Sequence, residues 1–272
     1  MNCKSILKNI FFAVSFITAK LASFFGYSFK RPVILLYHSV GENNSKYTVS
    51  EKNFVKQMEF LKRNKKVVSL EELVNIVASS KKTNNLVAIT IDDGYLDTVD
   101  FVATKIKEFG FPPATVFLTT NLDQSEKLGG IKRPSEEQIT RSYNEKSLVF
   151  EIHGQNHKPF REALLEGEDV LRSEILDCQN KIFQLTGHSS TFLAYPSGRE
   201  SQEVRNFVNN LGIRVGFGNH YGTVSSRENI MSLPRVQVDR DTNFFLFKIR
   251  LTRAVDVAEK IKRFFKKYAK RR

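Results

Sequence analysis

The sequence predicts an α/β protein built on a single (β/α) barrel of about seven parallel strands, with helical extensions at both ends. Short apolar runs recur along the chain, as buried parallel strands do. Segments with helical spacing separate these runs, which is the pattern of βα units. A length of 272 residues suits one barrel of about 250 residues. No linker rich in Pro, Gly or Ser divides the region, so one domain is expected.

Seven apolar runs are the predicted strands. Their sequences are VILLYH from Val33, KVVSL from Lys66, LVAITI from Leu86, ATVFLT from Ala114, SLVFEI from Ser147, TFLAYP from Thr191 and, more weakly, RVGFG from Arg214. Helical spacing is found between Phe54 and Leu61, between Val99 and Phe109, and between Leu171 and Leu185. The polar segment from Leu122 to Lys146 follows a strand, where barrels place loops that face the substrate.

The N-terminal segment, residues 1–30, is apolar and basic. Lys4 and Lys8 precede an apolar run that extends from Ile10 to Ala19 and is interrupted by Lys20. This run is short for a transmembrane helix, and no small-residue cleavage site follows closely. A signal sequence, an anchor at the membrane interface and a helix packed on the domain all remain open. The barrel is predicted for residues 31–252 and a basic helix for residues 253–272.

The charge of the chain is strongly positive and concentrated at its end. The formal net charge is +13, and the segment from Lys260 to Arg272 has eight Lys and Arg residues and no acid. Such a segment is typical of a solvated tail, or of an aromatic basic helix on an anionic membrane surface. No nucleic-acid motif accompanies the charge, so nucleic acid is not an expected partner. We expect a membrane-associated protein of a cell envelope, with the side of the membrane left open.

The cysteines exclude two classes of protein. Cys3 and Cys178 lie far apart in the sequence. They argue against a disulfide framework and against a zinc site built from cysteines.

Two neighbouring carboxylates mark the end of the third apolar run. The stretch LVAITIDDGYLD leads from a buried strand directly to Asp92, Asp93 and Gly94. Two buried carboxylates repel each other unless a positive group lies between them. An ordinary Asp-Gly turn is the plain alternative for the motif taken alone.

Two histidines follow the fifth apolar run in the same way. His153 and His157 end the stretch LVFEIHGQNH, and their i, i+4 spacing lets both rings bind one metal ion if the segment turns helically. Two histidines and one aspartate, with a position left for water, form a catalytic site for zinc or a similar divalent ion. The run FLAYPSG supplies Pro and Gly that can shape the wall of a groove.

The ordered set of motifs resembles the polysaccharide deacetylase family, also called the NodB-homology or carbohydrate esterase family 4 group. TIDDGY matches the first family motif, HGQNH the histidine pair and FLAYPSG the third motif, and SLPRVQVDRD looks like a late segment of small bacterial members. The resemblance covers Pro32 to Asp241. It implies a distorted (β/α) barrel that hydrolyses N-acetyl groups of sugars, in a cell-envelope polysaccharide or a lipid-linked glycan.

The resemblance also implies roles for particular residues. Asp93, His153 and His157 would bind a divalent metal, with zinc expected and cobalt, nickel or manganese as alternatives. Asp92 would be the general base.

Further roles concern the wall of the groove. A backbone N–H near Tyr195 to Ser197 would hold the oxyanion, although Pro196 has no N–H to donate. Ala194 stands where many members carry an arginine, and Arg235 is a candidate substitute. Gly154 replaces the Ser or Thr that often follows the first histidine, which removes one hydroxyl near the metal.

The proton donor is the least regular part of the resemblance. Many members use a histidine near the C-terminus, but no histidine follows His220 in this chain. In poly-N-acetylglucosamine deacetylases of biofilms the motif order is rearranged, and an N-terminal strand ends in Tyr-His. LLYHSV resembles that strand, so His38 is predicted to be the general acid.

Two alternatives belong to other functional classes. The chain could be a weak or inactive member of the family that binds glycans, or a membrane-surface protein in which the barrel is only a scaffold. The departures at Gly154 and Ala194 motivate the first alternative, and the basic, aromatic ends motivate the second.

Overall fold

The computed structural model describes residues 14, 16–17, 31–79, 85–121, 123 and 130–269, with side chains up to residue 261. The predicted N-terminal segment therefore lies almost wholly outside the described residues, and the last three residues of the basic tail lie outside them too. In the part of the chain that is described, no helix combines the length and the apolar character needed to span a bilayer.

The strands and helices alternate as the apolar pattern predicts. The strands are β1 Val33–Tyr37, β2 Ser39–Val40, β3 Thr48–Val49, β4 Lys66–Val67, β5 Leu86–Asp93, β6 Ala114–Leu118, β7 Leu148–Ile152, β8 Phe192–Ala194, β9 Val215–Phe217 and β10 Val236–Gln237. The helices are α1 Glu51–Asn64, α2 Leu70–Ala78, α3 Ala103–Glu108, α4 Glu136–Asn144, α5 Phe160–Glu166, α6 Glu168–Thr186, α7 Gln202–Asn210, α8 Phe244–Arg250 and α9 Ala254–Ala269. A π-helical turn, Thr98–Val102, precedes α3, and 3₁₀ turns lie at Pro196–Gly198 and Ile230–Ser232.

The main sheet is parallel throughout. Its strand order is β10-β1-β5-β6-β7-β8-β9, and the short strand β4 pairs with the start of β5. Seven strands lie along this path, which confirms the predicted barrel of about seven parallel strands. Because all of them are parallel, their carboxyl ends meet at one edge, and the loops that follow them share one face of the molecule.

The barrel closes through a single short segment. Strands β9 and β10 do not pair as neighbours in the sheet order, but Phe217 forms a bridge with Leu233, and the Gly218 N–H donates to the Leu233 carbonyl at 3.0 Å. Three residues later Val236 pairs with Leu35 of β1. The chain between these contacts spans the seam of the barrel and carries Arg235. Only two residues of β10 pair with β1, so the strand is too short to be predicted from an apolar run in the sequence.

Both faces of the strands are buried. The outer face packs against the surrounding helices, and the inner face fills the barrel and contacts α2 near the amino ends of the strands. Inward residues include Ile34, Ala88, Phe117 and Phe217 with Leu73 and Val74 of α2, and outward residues include Leu35, Ile89, Val116 and Phe150. Burial on two faces is the reason that the strands appear as continuous apolar runs.

Several helices begin at a side-chain cap. The hydroxyl oxygens of Ser50, Ser69, Ser135 and Ser201 each accept the backbone N–H three residues later, at the starts of α1, α2, α4 and α7. Each cap is typically worth about 1 kcal/mol. The caps fix where the helices start and so fix the length of the loops that follow the strands.

Gly216 of β9 is expected to be essential for closing the barrel. A Cβ there would lie 2.5 Å from the Met231 carbonyl oxygen and 2.6 Å from the Tyr195 hydroxyl, which bond to each other at 2.8 Å. Gly216→Ala should therefore lower the free energy of unfolding by about 1 to 3 kcal/mol, measured by urea denaturation. Gly41→Ala is the matched control, because nothing lies within 4 Å of a Cβ at that position. Equal midpoints for the two variants would contradict the prediction.

Candidate active site

Two buried carboxylates face one cavity at the end of β5. Successive residues of a strand point to opposite faces, so Asp92 and Asp93 would not converge in regular β-structure. Asp93 and Gly94 instead have φ of 71° and 69°. This left-handed turn lets both carboxylates line a cavity of about 430 Å³. A Cβ at Gly94 would lie 2.4 Å from Leu118 Cδ1 at a positive φ, so both the space and the backbone favour glycine there.

Arg235 provides the positive charge that a buried carboxylate pair needs. Its Nη1 and Nη2 donate to the two oxygens of Asp92 at 2.6 and 2.7 Å. Its Nε donates to the Gly218 carbonyl at 3.2 Å, and its guanidinium lies 5.2 Å from the Phe117 ring centroid. Arginine is suited to this two-pronged contact because its donors form a planar fork. Arg235, in the segment that closes the barrel, thus neutralises the Asp92 carboxylate at the end of β5.

The ion pair controls the protonation of Asp92. Burial by itself would raise the pKa of this carboxyl, but the Arg235 guanidinium and the nearby His153 ring outweigh burial and hold the pKa below its ordinary value. Asp92 is therefore ionised near neutral pH. Each carboxylate oxygen can accept more than one hydrogen bond, so the fork leaves room for a further donor from the cavity.

The two histidines converge on the second carboxylate. His153 Nδ1 lies 2.9 Å from the Ala194 carbonyl oxygen, which directs Nε2 toward the cavity. Asp93 Oδ1 is 3.5 Å from His153 Nε2 and 3.4 Å from His157 Nε2. The three ligand atoms all lie within 4.8 Å of one another.

These three residues fit a divalent metal ion. Asp93 Oδ1 is buried and accepts no hydrogen bond from the described residues. A tetrahedral ion with ligands at about 2.1 Å holds neighbouring ligand atoms about 3.4 Å apart, which is close to both separations from Asp93. Burial and the neighbouring His153 lower the pKa of His157 to about 4, so this ring is neutral at neutral pH, as ligation requires.

A buried glutamate shapes the loop between the histidines. A helical turn was the condition under which the i, i+4 spacing would bring the two rings together, but the loop is not helical. Gly154 and His157 instead have φ of 87° and 57°. Glu174 of α6 accepts the backbone N–H and the side-chain amide of Asn156 at 2.9 and 2.8 Å. A Cβ at position 154 would lie 2.9 Å from Glu174 Oε2, so glycine makes room for this contact. No sequence motif pointed to Glu174, which lies within an ordinary helical pattern.

His38 lies at the edge of the same cavity. Strand β1 pairs with β5 in a register that sets Tyr37 opposite Ile91, so His38 follows β1 at the level of Asp92. Its ring is half-buried and stacks on Tyr47, with ring centroids 4.9 Å apart. Burial lowers the pKa of His38, although the two aspartates oppose the shift.

Asp97 ties the strand end that carries His38 to the segment after β5. Its Oδ2 accepts the Ser39 hydroxyl at 2.5 Å and the Val40 N–H at 3.2 Å. Sequence reasoning did not single out this residue, although it lies in the same stretch as the two catalytic-type carboxylates.

The residues predicted to bind substrate or oxyanion do not all face the cavity. Ser197 lines the cavity, with φ of 57°. The Tyr195 N–H donates to the Phe217 carbonyl at 3.1 Å and its hydroxyl to Met231, so Tyr195 is engaged within the barrel wall. Arg235 is buried behind Asp92 and contacts it instead of facing the cavity. Other cavity residues are Ser45, Lys46, Tyr47, Tyr95, Ile131, Asn219 and Gln237.

Comparisons with known proteins agree with this architecture. The family model "Polysaccharide deacetylase" matches residues 79–216, which is half of the chain. The Bacillus subtilis protein "Putative polysaccharide deacetylase YxkH" is 25% identical over 207 residues, covering 75% of this chain and 70% of that protein.

Solved structures share the fold. The Streptococcus pyogenes deacetylase PplD has a TM-score of 0.71 at 19% identity, covering 82% of this chain and 99% of its own. IcaB from Ammonifex degensii has a TM-score of 0.70 at 21% identity, covering 82% and 97%. The matched family segment contains the two aspartates and the two histidines, but His38 and Arg235 lie outside it.

Removing one ligand should weaken metal binding. Asp93→Asn is expected to lower Zn²⁺ affinity at least about 10-fold, because it removes a charged ligand. Asparagine tolerates the left-handed backbone at this position, so the turn should survive. Isothermal titration of metal-free protein measures the effect. His220→Ala removes a histidine outside the cavity and should bind Zn²⁺ as the wild type does; equal affinity of both variants would exclude Asp93 as a ligand.

Asp97 should make stability depend on pH. Burial raises the pKa of Asp97 to about 6, although the Ser39 hydroxyl and the Val40 N–H oppose the shift. Since the unfolded value is about 3.9, the folded state binds the proton more tightly, and the resulting stability is lost as the pH rises through about 6. Asp97→Asn should therefore gain about 1 to 3 kcal/mol relative to wild type between about pH 4 and pH 8.

Urea unfolding across this pH range measures the gain. Asp100→Asn, in the neighbouring turn, is the control because Asp100 is exposed. The same pH dependence in both variants would show that Asp97 does not titrate as described.

Proposed function

Because the chain belongs to the polysaccharide deacetylase family, we propose that it removes acetyl groups from an N-acetylated sugar of a cell-envelope glycan with the help of a divalent metal ion. Family members are hydrolases that cleave the carbon–nitrogen bond of N-acetyl sugars. One observation carries the metal-dependent reaction: an ionised Asp92, held by Arg235, lies in the same cavity as the Asp93, His153 and His157 cluster.

The bound metal, with zinc as the first choice, would polarise the acetyl carbonyl and acidify a water molecule. Asp92 takes a proton from the attacking water molecule, whose oxygen bonds to the carbonyl carbon of the acetyl group. Arg235 keeps the carboxylate oriented and ionised, because it bonds both oxygens from the side away from the cavity. The carbon–nitrogen bond then breaks, and the products are acetate and the free amine.

His38, in its protonated form, donates the proton that the leaving nitrogen needs; because burial lowers the pKa of this ring, only a minor fraction of the free protein carries that proton at neutral pH. The ring lines the cavity at the level of Asp92, on the strand next to β5. Stacking on Tyr47 and the Asp97 contacts to the following residues hold its strand end in place. A positioned acid contributes about 10² to 10⁴ in rate.

Among the residues of the third motif, the backbone N–H of Ser197 is the favoured hydrogen-bond donor to the oxyanion. Its neighbour Pro196 has no N–H, and the Tyr195 N–H is engaged with Phe217. Ser197 lines the cavity and has the left-handed backbone that turns a loop sharply. Donors fixed in advance around a developing negative charge are the usual source of oxyanion stabilisation.

The nature of the substrate is supported by the relatives. The Streptococcus pyogenes deacetylase PplD was solved in complex with acetate, which is the product that this reaction would release. A cavity of about 430 Å³ lies within the range of small-ligand sites, so it suits one sugar of a chain better than a long segment. A polysaccharide is the preferred substrate, and a lipid-linked glycan is the second choice.

His38→Ala and Asp92→Asn test this function. Each should lower kcat for acetate release from N-acetylglucosamine oligomers by about 10² to 10⁴, because each removes one proton-transfer group. Both should retain Zn²⁺ binding, which also reports that the variants are folded. His220→Ala is the control and should keep wild-type turnover. Glycan binding with unchanged turnover in Asp92→Asn would favour a binding protein without this chemistry.

A further inference from the structure

Parts of the chain near its two ends meet on one side of the barrel. Residues 14, 16 and 17 are helical, and Phe16 packs against Ile249 and Ala254, where α8 gives way to α9. The neighbouring side chains of Val14 and Ile17 are 51% and 56% exposed. An apolar surface is therefore left open beside the start of the basic C-terminal helix.

Helix α8 extends this surface with an exposed aromatic ring among cations. Phe245 is 55% exposed, and Lys248, three residues later on the same side of the helix, is exposed as well. The preceding Phe244 has Lys56 Nζ and Lys248 Nζ 4.5 and 5.3 Å from its ring centroid. Apolar side chains bordered by lysines are the composition of surfaces that lie at a membrane interface.

A basic cleft adjoins α9. The cleft has a volume of about 460 Å³ and lies between the segment after β9 and the first turns of α9; its cations are Arg31, Arg227, Arg253 and Lys260. Burial and then the nearby Arg253 lower the pKa of Arg31, while Asp256 and Glu228 oppose the shift.

The cleft also contains three acids, Asp256, Glu228 and Glu259, and Asp256 Oδ2 lies 3.5 Å from Arg253 Nε, so the charge within the cleft is largely balanced. Asp256 accepts the N–H and the hydroxyl of Thr223, each at 2.7 Å, and Glu228 accepts the Ser225 hydroxyl at 3.0 Å. Their oxygens are thus partly committed to the loop that forms the wall. Beyond the cleft, residues 261–272 add seven further Lys and Arg residues without an acid.

The basic cleft lies at the opposite end of the barrel from the catalytic cavity. Arg31 precedes β1 and His38 follows it, so the two are separated by the length of the strand, about 20 Å. Lys65, just before β4, donates through Nζ to the Leu251 carbonyl between α8 and α9. The Val224 N–H donates to the Pro32 carbonyl beside the cleft. All of these contacts are at the amino ends of the strands.

We propose that this surface, formed by Val14, Ile17, Phe245, Lys248 and the basic cleft, docks on an anionic lipid bilayer. The apolar side chains would enter the interface, and the arginines and lysines would meet lipid phosphates, each charge adding to the attraction. With the basic cleft against the bilayer, the catalytic cavity lies at the far ends of the strands. Under the proposed deacetylase function, on which this consequence rests, the reachable substrate is a glycan that extends from the membrane surface.

Vesicle binding by the full chain tests the docking surface. The protein should sediment with vesicles of phosphatidylglycerol and phosphatidylcholine in a ratio of about 3:7. Binding should fall about 10-fold or more when NaCl is raised from about 0.05 to 0.5 M, because salt screens exposed charges. Pure phosphatidylcholine vesicles should bind it weakly. This measurement does not depend on catalysis, so its failure is distinct from failure of the deacetylase proposal.

Two exposed substitutions localise the contact. Phe245→Ser should reduce binding about threefold or more, because a half-exposed ring no longer enters the interface. Leu165→Ser is the matched control, since Leu165 is 80% exposed on α5 and lies outside the proposed surface. Arg227→Glu should weaken binding to the anionic vesicles alone. Each of these results supports the docking surface.

Four results would overturn the proposal. They are equal binding to both vesicle types, equal losses for Phe245→Ser and Leu165→Ser, tighter binding to duplex DNA than to vesicles, and a solution dimer that Phe245→Ser dissociates. The last two would assign the surface to nucleic acid or to a second copy of the chain.

Discussion

The buried pair between Arg235 and Asp92 connects the closure of the barrel to the chemistry of the cavity. The two residues are 143 positions apart and meet only because the segment with Arg235 spans the seam between β9 and β1. An ionised carboxylate next to a second one could not remain buried without this guanidinium. Conversely, an unpaired buried arginine at the seam would destabilise the closed barrel, typically by about 3 to 5 kcal/mol. Folding and activation of the carboxylate therefore depend on one contact.

The backbone conformation at two residues, and not their side-chain identity alone, brings the metal-type cluster together. Asp93 and His157 both adopt positive φ, and the two turns bring their side chains to the same point from different strands. Such conformations cost free energy and persist only where the surroundings fix them. Gly94 leaves space for Leu118 beside one turn, and Glu174 bonds the loop that contains the other. The metal-type cluster is thus set by the loops as much as by its ligands.

The sequence was informative where a feature is local. Continuous apolar runs predicted the parallel strands, and the position of Asp92, Asp93, His153 and His157 just after or at the ends of such runs predicted that they would share one edge. Features that depend on contacts between distant segments were not predictable in the same way. The two-residue strand β10 has no pattern of its own, and Glu174 looks like any polar residue of a helix. The Tyr195 N–H appeared available until the pairing of β8 with β9 placed it opposite Phe217.

Position in the sheet, and not order along the chain, decides which strand can serve the reaction. Strand β5 has β1 on one side and β6 on the other, and β10 lies beyond β1. Because every strand is parallel, the residue that follows any of them arrives at the same edge. A proton donor is useful wherever its strand neighbours the one with the carboxylates, and β1 meets that condition although it is the first strand of the chain. His38 follows β1, whereas Arg235 comes just before β10, the strand beyond β1, and reaches Asp92 through its long side chain, even though one comes from the beginning of the barrel and the other from its end.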